Sequence, residues 1–104
     1  MESLHRRHQL HQKLLDVSGV NCYFQTPENL KMEYPCIRYR KDTGKQMDAD
    51  NKVYKFTTRY NLIYIHEDPD DELVYKLLDS FTHIRWDTQY IADNLYHDTF
   101  TLYY

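Results

Sequence analysis

Residues 91–104 keep an alternating pattern up to the last position, with Tyr96, Phe100 and Leu102 falling on one side of an extended chain. Successive side chains of a strand point to opposite faces, so a period of two predicts a strand with one face buried in a sheet. A chain end of this kind is expected to be structural or assembling. The segment opens on Ala92-Asp93-Asn94, which echoes Ala49-Asp50-Asn51, and each copy leads directly into a tyrosine-bearing extended stretch. The residues around the two copies do not repeat. The echo therefore reads as a turn used twice before a strand, and not as a duplicated domain.

Size and composition set what such a sheet can belong to. A chain of 104 residues suits one domain, spanning 1–104, that buries roughly two-thirds of its unfolded surface. Eleven tyrosines stand against only two glycines, and a tyrosine ring with its polar tip suits half-buried faces and interfaces. The net charge of −3 gives no global field that would steer the molecule to nucleic acid or an anionic membrane. Cys22 and Cys36 form neither a disulfide framework nor a zinc pattern and are expected as reduced, packed thiols. No apolar run reaches the roughly 18 residues needed to cross a bilayer, and the start Met1-Glu2-Ser3-Leu4-His5 lacks a secretion signal. The expectation is a soluble chain.

Along the chain, Ser3 caps a predicted helix in which Leu4, Leu10, Leu14 and Val17 recur at helical spacing, and Ser18-Gly19 marks its end. Residues 20–25 read as a short extended piece and residues 26–29 as a turn. A strand follows from Tyr34, with Pro35 at its start or on an edge, because proline cannot donate to a ladder. Residues 41–51 read as a loop. From 52 to 66 the alternation is long, with Tyr54, Phe56, Tyr60, Leu62 and Tyr64 on one face and Lys55, Arg59, Asn61, Ile63 and Ile65 on the other. Asp68-Pro69-Asp70-Asp71-Glu72 then predicts a helix start, with Asp68 as N-cap and Pro69 at the first helical position. Two strands close the chain, the first placing Ile84, Trp86 and Tyr90 on one face. The predicted class is α+β, an antiparallel β-sheet with two α-helices packed on one side in the order α-β-β-α-β-β, with a third strand allowed between the helices.

Chemistry is sparse in this pattern. His5, His8 and His11 recur every third residue, but that spacing drifts around a helix and brings no carboxylate or cysteine, so no metal site is assigned. The acidic run at 68–72 lacks the ligand spacing of a calcium loop and is explained by helix capping. His97 and Asp98 are adjacent in a strand and point to opposite faces. His83 and Asp87 share a face, but lie about 13 Å apart along an extended chain. No nucleophile, base and orienting group assemble, and no cofactor is implied; the expectation is a protein that is not an enzyme. Arg38, Arg40, Lys41, Lys52, Lys55 and Arg59 lie near Tyr39, Tyr54 and Tyr60, a mixture able to follow a single nucleic-acid strand by stacking. On the long strand, however, cations and rings face apart, and the chain is acidic overall.

The succession Tyr23-Phe24-Gln25, Pro27, Leu30-Lys31-Met32, Tyr34-Pro35-Cys36-Ile37, Ala49-Asp50-Asn51-Lys52-Val53-Tyr54, Arg59-Tyr60, Asp68-Pro69-Asp70 and the closing run from Ala92 to Tyr104 resembles the small neck proteins of tailed bacteriophages, specifically the tail terminator or tail-completion family. The resemblance covers about residues 20–104, and the closing run is its most specific part. It implies a non-enzymatic α+β subunit that closes into a hexameric ring, stops tail growth and offers a surface to the head connector. The implied partners are further copies of itself, the tail tube protein and the head-tail connector proteins, with passing contact to DNA in the lumen and no membrane. The implied place is the virion neck, after assembly in the host cytoplasm. Head-completion proteins are of similar size and form the alternative.

Ring closure needs one surface of a subunit to meet a different surface of the next. Candidates for that interface or for the lumen are Lys52, Lys55 and Arg59 with the adjacent 41–51 loop, opposed by Asp68, Asp70 and Asp71. Three classes remain to be separated: a virion assembly protein, a single-stranded nucleic-acid binding module and a small metal-dependent enzyme.

Overall fold

The computed structural model describes residues 2–25, 31–42 and 58–104. In chain order they form α1 (Glu2–Ser18), β1 (Asn21–Phe24), β2 (Cys36–Lys41), β3 (Arg59–His66), α2 (Leu73–Ser80), β4 (Ile84–Ala92) and β5 (Leu95–Tyr103). The class is α+β, and three strands lie between the helices. The turn expected at 26–29, the Ala49-Asp50-Asn51 copy and the strand residues before 58 lie outside the described residues, as does most of the expected 41–51 loop.

The strands make one sheet in the order β1-β2-β3-β5-β4. β2–β3, β3–β5 and β5–β4 pair antiparallel, whereas β1 runs parallel to β2. The sheet is thus mixed, which corrects the expected all-antiparallel arrangement. Short hairpin connections force antiparallel pairing, but the chain between Phe24 and Cys36 is long enough to return to the end from which it left.

Both helices pack on one face. Leu10 and Leu14 of α1, with Val74 and Leu77 of α2, form one core with Ile37 and Tyr39 of β2, Tyr60, Leu62 and Tyr64 of β3, and Phe100 and Leu102 of β5. The register explains why these residues meet, since Tyr39 lies opposite Leu62, Leu62 opposite Phe100, and Tyr60 opposite Leu102. Each fully buried leucine or phenylalanine here contributes roughly 1.5–3 kcal/mol relative to exposure. α1 ends at Gly19, whose φ of +67° and N–H to the Leu15 carbonyl (2.9 Å) close the last turn.

Two local expectations change. A register shift between Trp86 and Thr88 leaves Ile84 and Trp86 on the helix side, opposite Leu102 and Phe100, and moves Tyr90 to the other face, opposite His97. The extra residue at a bulge reverses the alternation beyond it, so Tyr90 no longer shares a face with Trp86, whereas Asp87 stays with Arg85 and Thr101 on the outer face, where its carboxylate accepts from both. The second change is at α2, which starts at Leu73 and not beside Asp68. Asp68 Oδ1 accepts from the Asp70 N–H (2.9 Å), while Asp71 Oδ1 accepts from the Leu73 N–H (2.9 Å). The first aspartate closes its own turn around Pro69, and the second meets the helix. Asp93 and Asn94, with φ of 53° and 63°, form the two-residue turn joining β4 to β5, a conformation that matches the twist of a hairpin.

Candidate functional site

Of the residues predicted for an interface or lumen, Lys52 and Lys55 lie outside the described residues. Arg59 opens β3 on the face away from the helices, and its Nε sits 3.2 Å from Asp42 Oδ2. Its charge is thus opposed within its own chain. Asp68 and Asp70 are exposed, as an interface role requires, but Asp71 turns inward: its Oδ2 accepts from the Tyr64 hydroxyl at 2.7 Å. Of the four described residues, Arg59 opens β3 and the three aspartates follow its far end, so the length of the strand separates the cation from the acids.

The inward turn of Asp71 leads to a buried polar cluster at the end of the sheet. Asp98, fully buried on β5, accepts from His66 Nε2 (2.5 Å), Trp86 Nε1 (3.1 Å) and the Gln89 amide (3.3 Å). His66 Nδ1 accepts from the Asp68 backbone N–H at 3.2 Å, so Nδ1 carries no proton and Nε2 carries the one donated to Asp98. The imidazole ring stacks on Tyr64 with centroids 4.2 Å apart. Gln89 donates also to the Pro69 carbonyl (3.1 Å), which ties the turn before α2 to β4.

Both nitrogens of this imidazole are occupied, and His66 is buried. A histidine–carboxylate pair acts as a base only when a ring nitrogen can reach a reacting proton. This pair instead fixes a turn. A sequence signal for it existed, because the alternation that buries Tyr60, Leu62 and Tyr64 also places His66 on the inner face, and that of Tyr96, Phe100 and Leu102 does the same for Asp98. The within-strand pairs His83/Asp87 and His97/Asp98 were the wrong ones to compare.

The tyrosines near the cations behave differently from a stacking platform. Tyr39 and Tyr60 are buried beneath the helices, while Arg38 and Arg40 are exposed and lie across from Ile63 and Asn61 on the opposite face. There they line a recess with Gln25, Asn61 and Ile63. Burial raises Tyr39 to about 12, against the smaller opposing effect of Arg7. Tyr64 is raised further, by burial first and then by the Asp71 carboxylate. Cys22 and Cys36 are free thiols, both pushed up by burial, Cys36 to about 11, so each is held as an uncharged thiol.

Among the described residues, no group of three or more His, Cys, Asp or Glu is placed to hold a metal ion. His11, from the histidine series on α1, lies with its Nδ1 2.6 Å from the Tyr39 hydroxyl. Its pKa is lowered by burial, then by Arg7 and His8. No described helix is long and apolar enough to cross a membrane.

The least expected surface is β4. It is an edge strand of nine residues, exposed from Arg85 to Ile91. Trp86, Tyr90 and Ile91 lie open along it, Ile91 at 66% of its full exposure. Tyr75 of α2, 58% exposed, meets Trp86 edge-on with ring centroids 6.2 Å apart. Edge strands usually carry charges or stay short, because unpaired backbone groups beside apolar side chains invite another chain. Comparison with protein-family models, with curated proteins and with solved structures finds no match.

Proposed function

We propose that this protein is a structural assembly component of a tailed-phage neck, which caps the tail tube, ends tail polymerisation and joins the tail to the head connector as a ring, in the reading of six copies. The observation that carries this reading is the β4–β5 hairpin. Its turn and closing strand hold the residues most specific to the resemblance, β5 lies inside the sheet between β3 and β4, and the outer strand is a long edge with exposed aromatic and aliphatic side chains. A closed ring needs two unlike surfaces on one chain, and the sheet ends in two unlike strands, a four-residue β1 and a nine-residue β4. Work would take place in the virion neck after assembly in the host cytoplasm, and Arg38 and Arg40 are cations available to DNA passing through a lumen.

Negative-stain imaging of the protein mixed with isolated tail tubes tests this. A cap at one tube end is expected; tubes left bare remove the reading. Binding to head connectors without capping tubes moves the assignment to the head-completion alternative. Salt-sensitive binding of single strands by a monomer would instead favour a nucleic-acid module, for which exposed Arg38 and Arg40 are the favouring observation.

A further inference from the structure

The two ends of the sheet differ in charge as well as in length. Beside β4 lie the exposed acids Glu67, Asp68, Asp70 and Glu72, held there by the Gln89–Pro69 hydrogen bond and the Tyr75–Trp86 contact. Arg85, a cation on that strand, is engaged by Asp87 at 2.7 Å. At the other end Lys31, Arg38, Arg40 and Lys41 are exposed with no ion pair among the described residues, against one exposed acid, Glu33, whose backbone N–H donates to the Tyr23 hydroxyl of β1, while the nearby Asp42 is opposed by Arg59. Among the described residues, one end is therefore acidic and partly apolar and the other carries an excess of cations.

Strand directions make the two ends compatible. β1 runs with β2, β2 against β3, β3 against β5, and β5 against β4, so β4 runs opposite to β1. Copies repeated head to tail bring β4 of one against β1 of the next in antiparallel sense, which continues the ladder across the contact.

We propose that the β4 edge, with Trp86, Tyr90, Ile91 and the adjoining acidic turn, is the docking surface for a second copy of this chain, which presents its basic β1–β2 end. This deepens the ring reading and rests on it for the number of copies, while charge and strand direction carry the contact itself. Opposite potentials speed and orient such an encounter, and salt weakens it.

Sedimentation velocity of the full chain, from micromolar to millimolar concentration and at low and high salt, tests the contact. Association that grows with concentration and falls with salt is expected; a chain that stays monomeric at the highest concentration overturns the proposal. Ile91→Lys, at a position too exposed to matter for folding, should weaken association about tenfold or more, and an unchanged constant overturns the proposal. Asp70→Lys with Glu72→Lys should weaken it, as should Arg38→Glu with Arg40→Glu, whereas one chain carrying all four substitutions should regain association. No recovery in that exchanged chain, with its circular dichroism unchanged, also counts against the contact. Tube capping is scored separately by imaging. Self-association without capping leaves the contact and removes the neck assignment, while capping that Ile91→Lys leaves intact removes the contact and keeps the assignment.

Discussion

The helix-covered face of the sheet has two halves built from the same strands by opposite means. In the half beneath α1, Tyr39, Leu62 and Phe100 meet Leu10 and Leu14, and shape is what holds the core together. In the other half, β3 and β5 continue their alternation to His66 and Asp98, where Trp86 and Gln89 complete a set of directed hydrogen bonds. Apolar packing tolerates substitution of similar volume, whereas a buried polar network loses its value if one member is left unpaired. The first half supplies bulk stability. The second sets one position for the turn carrying Asp68 and Asp70, which is the acidic material of the proposed contact.

The most severe way to break this comparison is to remove what both halves share. Deleting residues 98–104 takes away most of the strand between β3 and β4, together with Asp98, Phe100 and Leu102. No cooperative unfolding transition is expected by circular dichroism; a folded, assembling truncation would show that the closing strand is dispensable.

Next come single core changes that differ in what rescues them. Leu62→Ala should lose about 2–5 kcal/mol in urea unfolding and Leu62→Met less than about 1.5 kcal/mol, because volume is largely kept. Asp98→Ala orphans three donors, a loss on the order of 3 kcal/mol. Asp98→Asn keeps the volume yet should remain well below the parent, because its amide group turns a donor toward donors. An asparagine variant as stable as the parent would make the polar half another packed core.

Smaller differences separate two of the buried tyrosines, Tyr64 and Tyr39. Tyr64→Phe leaves Asp71 without its 2.7 Å partner, and a hydrogen bond to a carboxylate contributes roughly 1.5–3 kcal/mol. Tyr39→Phe removes a contact to His11, which is only half-buried and can turn to water, so about 1 kcal/mol is expected. Equal losses in the two variants would erase the distinction. Both tyrosines also predict alkaline sensitivity, for burial holds them neutral. A phenol whose folded pKa lies above its unfolded value of about 10 contributes stability that is whole below that pH and is lost as pH rises through the folded value, about 12 for Tyr39. Unfolding midpoints should start to fall above about pH 8.5, where the buried thiols Cys22 and Cys36 begin to ionise in the unfolded chain, and Tyr39→Phe should flatten the part of the fall between about pH 10 and 12.

How much of this was legible follows from where each signal is stored. The inner faces of β3 and β5 were readable, because alternation is a property of neighbouring residues and the sheet preserves it from Tyr60 to Tyr64 and from Tyr96 to Leu102. The helix end at Gly19 and the turn at Asp93-Asn94 were readable for the same reason, since backbone preference is local. β4 was read correctly as far as Trp86. Beyond it Tyr90 went to the other face, because a bulge depends on the partner strand and leaves no mark in the alternation.

For the candidate site the sequence carried less. The acidic run was visible, but its division between exposed Asp68 and Asp70 and inward Asp71 follows from Tyr64 lying across from it. Arg59 looked free until Asp42 met it. By itself, the sequence determined two helices, the strands with their inward faces, and a chain that invests its aromatic residues in a sheet. Only the tertiary structure decided that β1 runs parallel to β2, that His66 finds Asp98, and that acidic and basic ends lie at opposite edges. Periodicity is written into each segment, whereas pairing depends on which segments become neighbours, and that choice is made by the folded chain as a whole.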